Sequence, residues 1–551
     1  MLLKDYRVLR PTTTKIQAQK GVKYVYQVTD KTYHSDKKFV TEKRTCIGRM
    51  IDDEYMMPND SFADFYPDIL MSEKEAPTFS DTLKVGTSIL IEKIMKDLQL
   101  DALINSVFEE EANIVKDIIT YMIIEESSTF QYFPDFMYDH PSFEGKIRSD
   151  SFISKMLKHD IGEEKIDLFM KGWNSLNANI KDVYISYDST NMNTCAVGIE
   201  LAEFSHAKDD ESKPQVNLSY VINQTDSTPL HYELYDGSVV DNSQCNYMVE
   251  KMKDYGYKNI GFILDRGYFS KKNIDKIREN GYELIMMVKD NTIAVQESIH
   301  EIGMKLRLNN SYYLYDHKIY GSTVRKRLFE KDKKEVYVHL YYDNIRAEET
   351  RNDWLESLHK TEERLIKKVN KKVAKVEEVA MFEKFFKLKF DDYGYLQGYE
   401  RNEKKIQEET NKFGYFAIIT TKEMTAQEAL GIYRDRDSVE KMFRSIKTGM
   451  DYDKFGIHSD SSLLAKTHLV FIASIVRNVM GRNLRELVKK DKKHYTIPAS
   501  IRELEKIEVT KNTKGRYIKK YAPNAKQKAI LKAFEIDEIT LNKMINKRSL
   551  Q

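Results

Sequence analysis

The chain has 551 residues, 41% hydrophobic and 32% charged, with 10 Pro and 22 Gly; this excludes wholesale disorder, collagen and membrane architecture. At about 100–200 residues per domain the length argues for roughly three to five structural units rather than a single compact domain. The formal net charge of +2 hides an uneven distribution, with 12 Lys/Arg against 4 Asp/Glu in residues 1–50, 5 against 20 in residues 51–140, and 20 against 8 in residues 471–551.

The chain opens with Lys4, Asp5 and Arg7 rather than an apolar signal core, so no secretion is expected. Cys46, Cys195 and Cys245 match neither a zinc pattern nor a disulfide framework, which suits a reducing cytosol. Residues 22–29 alternate imperfectly but are rich in β-branched and aromatic types; with 39–48 they predict a β-hairpin. Residues 1–60 therefore read as a basic N-terminal β region. Such a basic end could neutralise several phosphates of a nucleic acid, or could be a merely solvated charged surface.

From about residue 61 to 180 the pattern becomes helical, with apolar residues at Ile89, Ile91, Ile94, Met95 and Leu98, and at Ile114, Ile118, Ile119, Met122 and Ile123. The acidic surplus lies largely in this block, which reads as a solvated acidic domain or a shield against phosphate. Short apolar strands follow at Val183–Tyr187, Ala196–Leu201, Val216–Ile222, Ile260–Leu264 and Leu284–Val288, with helices at Cys245–Tyr255 and Lys271–Asn280. The order predicts a mixed sheet covered by helices.

Residues 291–414 interrupt that pattern with strand-like Val336–Tyr342, a long charged helix through Val376, and Phe385–Phe390; they read as an insertion domain. The sheet pattern resumes at Tyr415–Thr421, and residues 481–551 read as a basic helical region. The helix Ser461–Met480 is expected to lie buried and to buttress the segment before it. Its most apolar stretch, Leu469–Val476, falls far short of the roughly 18 residues that span a bilayer, so no membrane partner is expected.

Two acids close predicted strands: Asp188 after Val183–Tyr187, followed by Ser189-Thr190-Asn191, and Asp265 after Ile260–Leu264, followed by Arg266-Gly267-Tyr268. Either alone reads equally as a turn former. The third element is the segment 433–447. Thr425 and Glu428 form a capping-box pattern upstream, so one helix from there is expected to carry the whole segment. On it Tyr433, Arg436, Glu440 and Lys447 fall on one face, and Val439, Met442 and Ile446 on the other. A solvated face with i,i+4 ion pairs is the plain alternative.

The spacing of Tyr433, Arg436, Glu440 and Lys447 resembles Y-x-x-R-x-x-x-E-x-x-x-x-x-x-K, the signature of a large group of bacterial insertion-sequence transposases of the DDE class. Asp188-Ser189-Thr190 and Asp265-Arg266-Gly267-Tyr268-Phe269 look like that family's first and second acid motifs, and Lys208-Asp209 with Lys213–Val216 resembles its loop into a core strand. The likeness covers 181–290 and 415–480. It implies a multidomain α/β protein whose ribonuclease H-like core, a mixed sheet flanked by helices, is interrupted by the insertion, with N-terminal β-hairpin and helical regions.

The resemblance further implies that Asp188, Asp265 and Glu440 hold two Mg²⁺ ions, with Mn²⁺ able to substitute. Hard carboxylate oxygens suit such ions, whereas His and Cys prefer softer ones. Arg436 and Lys447 would hold phosphates near the cut, Tyr433 would hydrogen-bond a neighbouring phosphate, and Arg266 and Arg444 would either touch DNA or form surface ion pairs. The expected partners are double-stranded DNA, both terminal inverted repeats and target, and a second copy of the chain in a homodimer in the bacterial cytoplasm. The N-terminal region is similar to the family's DNA-binding end. A domesticated, non-catalytic DNA-binding protein and a ribonuclease H-like nuclease without strand transfer are the alternatives. Trp354 could stack on a displaced base or pack on a neighbouring helix, and His206, His231, His458 and His468 show no paired ligand spacing.

Overall fold

The protein is described by a computed structural model covering residues 7–19, 21–34, 38–67, 69, 79–177, 184–205, 212–239, 241–371, 375–512 and 516–548. Val183, His206 and the Lys208-Asp209 pair, singled out above, lie outside the described residues. The chain divides into two compact units, residues 1–80 with 145–147, and the remainder.

In the first unit five strands, β1 (Val8–Leu9), β2 (Lys15–Gln19), β3 (Val22–His34), β4 (Phe39–Met50) and β5 (Tyr55–Pro58), pair in the order β1-β5-β4-β3-β2. The expected hairpin is β3–β4. It runs past the apolar part because Asp30–His34 keeps pairing with Phe39–Lys43 although those residues are exposed. Two register shifts, at Val25/Tyr26 and Val28/Asp30, explain why the alternation in sequence is imperfect. Val8, Val25, Ile47, Met56 and Phe62 form this unit's core.

The second unit begins with β6 (Thr82–Lys84) and a helical block in which helices 86–97, 112–124, 150–159 and 163–177 pack around the helix Asp460–Asp491. Its centre is a nine-stranded sheet. The strands are β7 (Tyr184–Asn193), β8 (Gln215–Asn223), β9 (Pro229–Asp236), β10 (Gly261–Leu264), β11 (Glu283–Val288), β12 (Tyr313–Leu314), β13 (Ile319–Arg327), β14 (Glu335–Tyr342) and, after two strands of the interposed segment, β17 (Tyr415–Thr420). They pair in the order β12-β13-β14-β17-β11-β10-β7-β8-β9. The β7–β10 and β10–β11 pairs are parallel and the others antiparallel, so the sheet is mixed as expected.

One expected strand is absent. Ala196–Leu201 forms turns, because the backbone amides of Glu200 and Leu201 are taken by the Asp460 carboxylate (3.0 and 3.4 Å) instead of a neighbouring strand. Gly198 permits this approach: a Cβ there would lie 2.1 Å from the His458 carbonyl oxygen. In its place stands β9, whose His231, Glu233 and Asp236 disguise a largely buried strand.

Within 291–414, β12–β14 belong to the sheet through the β14–β17 ladder. The chain leaves the sheet only with the helix Asn344–Lys371, the hairpin β15 (Phe386–Phe390) and β16 (Leu396–Arg401), and the helix Glu403–Thr410. These three close a small core of their own around Leu358, Leu365, Phe382, Phe386 and Leu396. The C-terminal stretch is not purely helical, since β18 (Glu508–Lys511) pairs with β19 (Tyr517–Lys519) and returns to β6.

The helix Asp460–Asp491 is long and apolar enough, by length and composition, to cross a membrane, which the short apolar run in sequence did not suggest. That window is 89% buried inside the protein, so its apolar surface is already covered by the surrounding helices and sheet.

Candidate active site

Strand alternation and register bring the two aspartates together. Ile185 and Tyr187 point into the core covered by helices 241–254 and 271–279, whereas Tyr184 packs on the opposite face with Ile263. With a period of two, Asp188 therefore shares the face of Tyr184, and Asp265 that of Ile263. The parallel register pairs Ile185 with Phe262, and extending it by three residues sets Asp188 level with Asp265 on the adjacent strand.

Asp188 does not end its strand as expected. It pairs with Tyr220 in mid-strand, and β7 continues to Asn193 because Ser189–Asn193 finds ladder partners in Gln215–Ser219. Asp265 does follow its strand, capping the short turn Arg266–Tyr268 by accepting the Arg266 amide at 2.7 Å.

The third acid comes from the segment after β17. The capping box of Thr425 and Glu428 is present and starts a helix, but that helix ends at Arg434 and a second spans Asp437–Lys447. The single continuous helix is thus corrected to two. At the junction the Arg436, Ser438 and Val439 amides bond three residues back, at 3.0–3.1 Å, tightening the turn. Val439, Met442, Phe443 and Ile446 form the buried face of the second helix, which packs on β7, β8 and helix 460–491.

Arg436 at this junction is the point of convergence. Its Nη1 lies 3.6 Å from Asp188 Oδ2 and 3.6 Å from Asp265 Oδ2, and its Nη2 lies 3.2 Å from Glu440 Oε1. The side chain is 13% exposed, against 20% for Asp188, 39% for Asp265 and 54% for Glu440. Burial works against the guanidinium charge, but the Asp265, Asp188 and Glu440 carboxylates outweigh it and raise its pKa. Tyr433 packs its ring in the core beside Ile263, Ile285 and Leu430 and donates its hydroxyl to Asp265 Oδ1 at 3.2 Å. Burial raises its pKa, and Asp265 and Asp188 add to the rise, so the phenol stays a neutral donor.

The remaining cations divide into two kinds. Lys447 Nζ donates to the Asn191 carbonyl at 2.8 Å, which ties the end of the Glu440 helix to the strand of Asp188. Arg266 and Arg444 are exposed, and neither forms an ion pair among the described residues. Tyr268, quoted above only as a motif letter, donates toward Asp188 Oδ1 at 3.5 Å, shares a 2.9 Å hydrogen bond with Ser189 Oγ and packs on Tyr187.

Three hard-oxygen side chains thus surround one cationic group, a donor set whose chemistry suits a divalent ion of the Mg²⁺ class. Among the described residues, however, no group of three or more His, Cys, Asp or Glu is drawn close enough to hold a metal ion. His468 is buried and pushed down to about 3 by burial, so it is neutral. Trp354 packs edge-on against Phe385 and Phe413, with ring centroids 5.2 and 5.8 Å away.

A family model described as the transposase DDE domain matches residues 181–476. Among solved structures, a piggyBac transposase synaptic complex with hairpin DNA resembles the chain at 8% identity, covering 85% of this chain and 82% of that one, with a TM-score of 0.34. No curated protein matches.

Proposed function

The chain belongs to the transposase DDE-domain family, whose model spans more than half of it, and we propose that it cuts transposon-end DNA and joins it to target DNA by metal-assisted phosphoryl transfer. The observation that carries this reading is the approach of Asp188, Asp265 and Glu440, from three separate elements, to within 3.2–3.6 Å of one guanidinium. The order β9-β8-β7-β10-β11, antiparallel and then parallel, supports a ribonuclease H-like core for this site.

In this reading the three carboxylates would hold a pair of Mg²⁺ ions, or Mn²⁺ in their stead, which would supply Lewis-acid activation of the attacking oxygen and charge stabilisation of the leaving one. The chain's own groups do the rest. Tyr433 fixes the Asp265 carboxylate, and Tyr268 and the Ser189 amide (2.9 Å) fix that of Asp188. Arg436 exchanges carboxylate oxygens for those of the phosphate, for which its planar fork is suited. Lys447 adds a positive charge at the far end of the Glu440 helix. Water attacks first and releases the 3′-oxygen of the element end; that 3′-hydroxyl then attacks a target phosphate and displaces its 3′-oxygen.

The substrate in this proposal is double-stranded DNA bearing terminal inverted repeats, held by a homodimer, with the basic N-terminal sheet as an end-binding surface. The test is strand cleavage of such ends in Mg²⁺ or Mn²⁺. Asp188→Ala should abolish cleavage and leave DNA binding measurable, while the wild type should also join cut ends to target. Unchanged cleavage refutes the acid assignment, and cutting without joining identifies a nuclease instead.

A further inference from the structure

Glu440 and Lys447 ride on one helix, so their placement against the aspartates depends on what grips its far end. Arg477, on helix 460–491, is 4% exposed; its Nε donates to Ser445 Oγ at 3.2 Å and its Nη2 to Glu126 Oε1 at 2.5 Å. Gly449, just beyond the helix, lies against the same guanidinium. A Cβ there would come within 2.7 Å of Arg477 Nη2 and 2.5 Å of the Ser445 carbonyl oxygen.

Glu126 follows helix 112–124 in the left-handed backbone region, with φ of 50°, a conformation that costs a side-chain-bearing residue free energy. Asp451, across from it, has φ of 49°, and its carbonyl accepts from Ser128 Oγ at 3.1 Å. Phe130 and Tyr452 lie 5.3 and 5.8 Å from the buried Lys466 ammonium, which donates to the Phe455 carbonyl at 2.6 Å. One short loop, 126–130, thus meets the segment 445–455 at Arg477, at Asp451 and at Lys466.

We propose that this loop, through the chain Glu126–Arg477–Ser445, positions the Glu440 helix, so that the acidic helical block is part of the active-site scaffold. The inference rests on the reading of Glu440 as an active-site acid. Ser445 is five residues from Glu440, about 7.5 Å along a stiff helix, so displacement at one end is carried to the other. Glu126 is the only carboxylate within ion-pair distance of Arg477 among the described residues, and Arg477 Nη1 has no hydrogen-bond partner there. Without Glu126 the buried cation would lose its counter-charge and keep only the Ser445 hydrogen bond, which strongly destabilises its placement.

Hydrogen exchange on the DNA-free, metal-free protein tests this. In the wild type, amides of 437–447 and of 121–130 should open together, with the same denaturant dependence; independent opening overturns the proposal whatever any variant does. Glu126→Gln and Gly449→Ala should speed exchange in 437–447, and Arg477→Lys should restore part of the protection that Arg477→Met loses. Half-saturation by Mn²⁺, followed by electron paramagnetic resonance, should rise by at least about tenfold, corresponding to ~1.4 kcal/mol.

Glu111→Gln, which breaks the 2.7 Å Lys165 pair elsewhere in the same helical block, should move neither measurement. Exchange and Mn²⁺ binding in Glu126→Gln and Gly449→Ala that match the wild type overturn the positioning role. Because exchange needs neither DNA nor metal, it decides the clamp even where wild-type protein fails to cleave, an outcome that would sink only the transposase reading.

Discussion

His140 offers a quantitative test of the packing that joins the helical block to the C-terminal region. Its ring is 3% exposed, stacked on Phe136 at 4.0 Å, with Nε2 2.7 Å from Glu505 Oε2 and Nδ1 2.7 Å from Asp139 Oδ1. Lys84 Nζ, on β6, lies 2.6 Å from the other Asp139 oxygen. Burial works to lower the imidazole pKa, but the Asp139 and Glu505 carboxylates prevail and push it up to about 9. Burial likewise works to raise Asp139, while His140 and Lys84 bring it down to about 2.

A rise from 6.5 to about 9 in a group this buried corresponds to at most ~3 kcal/mol. The sign follows from the direction. The folded state holds the proton more tightly than the unfolded chain, so the stabilisation is complete below about pH 6.5 and is lost as pH climbs through about 9. His140→Gln removes the charge and the stacked ring together, but only the charge depends on pH. Denaturant melts should therefore show a large loss in the variant at pH 6 that shrinks by ~2–3 kcal/mol at pH 10. Carbon-13 NMR of the histidine ring should place its midpoint near 9. An equal loss at both pH values, or a midpoint at or below 6.5, would refute the two-carboxylate account.

Three other outcomes follow from the site and its surroundings. Tyr433→Phe keeps the ring in the core but loses the bond to a carboxylate that is 39% exposed, so cleavage should slow about fivefold (~1 kcal/mol) with the melting temperature unchanged; a loss beyond about a hundredfold would give the phenol a direct chemical role. Arg266→Ala and Arg444→Ala should each weaken binding to DNA ends and reduce the slope of log affinity against log salt by about 1, measured by fluorescence anisotropy; an unchanged slope removes that residue from the DNA surface. Trp354→Ala should cost the interposed segment ~2 kcal/mol, read as faster hydrogen exchange in 344–410, while cleavage persists. Loss of end processing with unchanged exchange would favour base stacking instead.

How much could be read from the chain alone depends on how local each feature is. Ile260–Leu264, Leu284–Val288 and Tyr415–Thr421 are legible because strands buried on both faces read as largely apolar runs, and Val216–Ile222 through its β-branched and aromatic residues around Asn217 and Ser219. Ala196–Leu201 has the same texture, yet its amides go to Asp460, a side chain about 260 residues away, so nothing nearby could reveal the turn. The strand β9 was hidden for the opposite reason, its polar groups being satisfied inside the fold: His231 by Tyr255 and Glu233, and the Tyr232 hydroxyl by His468. The helix break at Arg436 did leave a trace, since Asp435, Asp437 and Ser438 are residue types that favour a helix start.

The site itself is legible as residues but not as an arrangement. Asp188, Asp265 and the Tyr433–Lys447 segment stand out through local pattern and family likeness, yet their meeting depends on β10 inserting beside β7 in parallel register. That register follows from connections of many tens of residues, which no local periodicity encodes. The consequence is most visible at Arg436. On a helix diagram it pairs only with Glu440, four residues on, whereas the folded chain turns the same guanidinium toward two aspartates of the sheet. A substitution such as Arg436→Gln therefore cannot be judged as the loss of one surface ion pair. It would leave three carboxylates facing one another around a neutral group, and the cost would fall on the placement of all three.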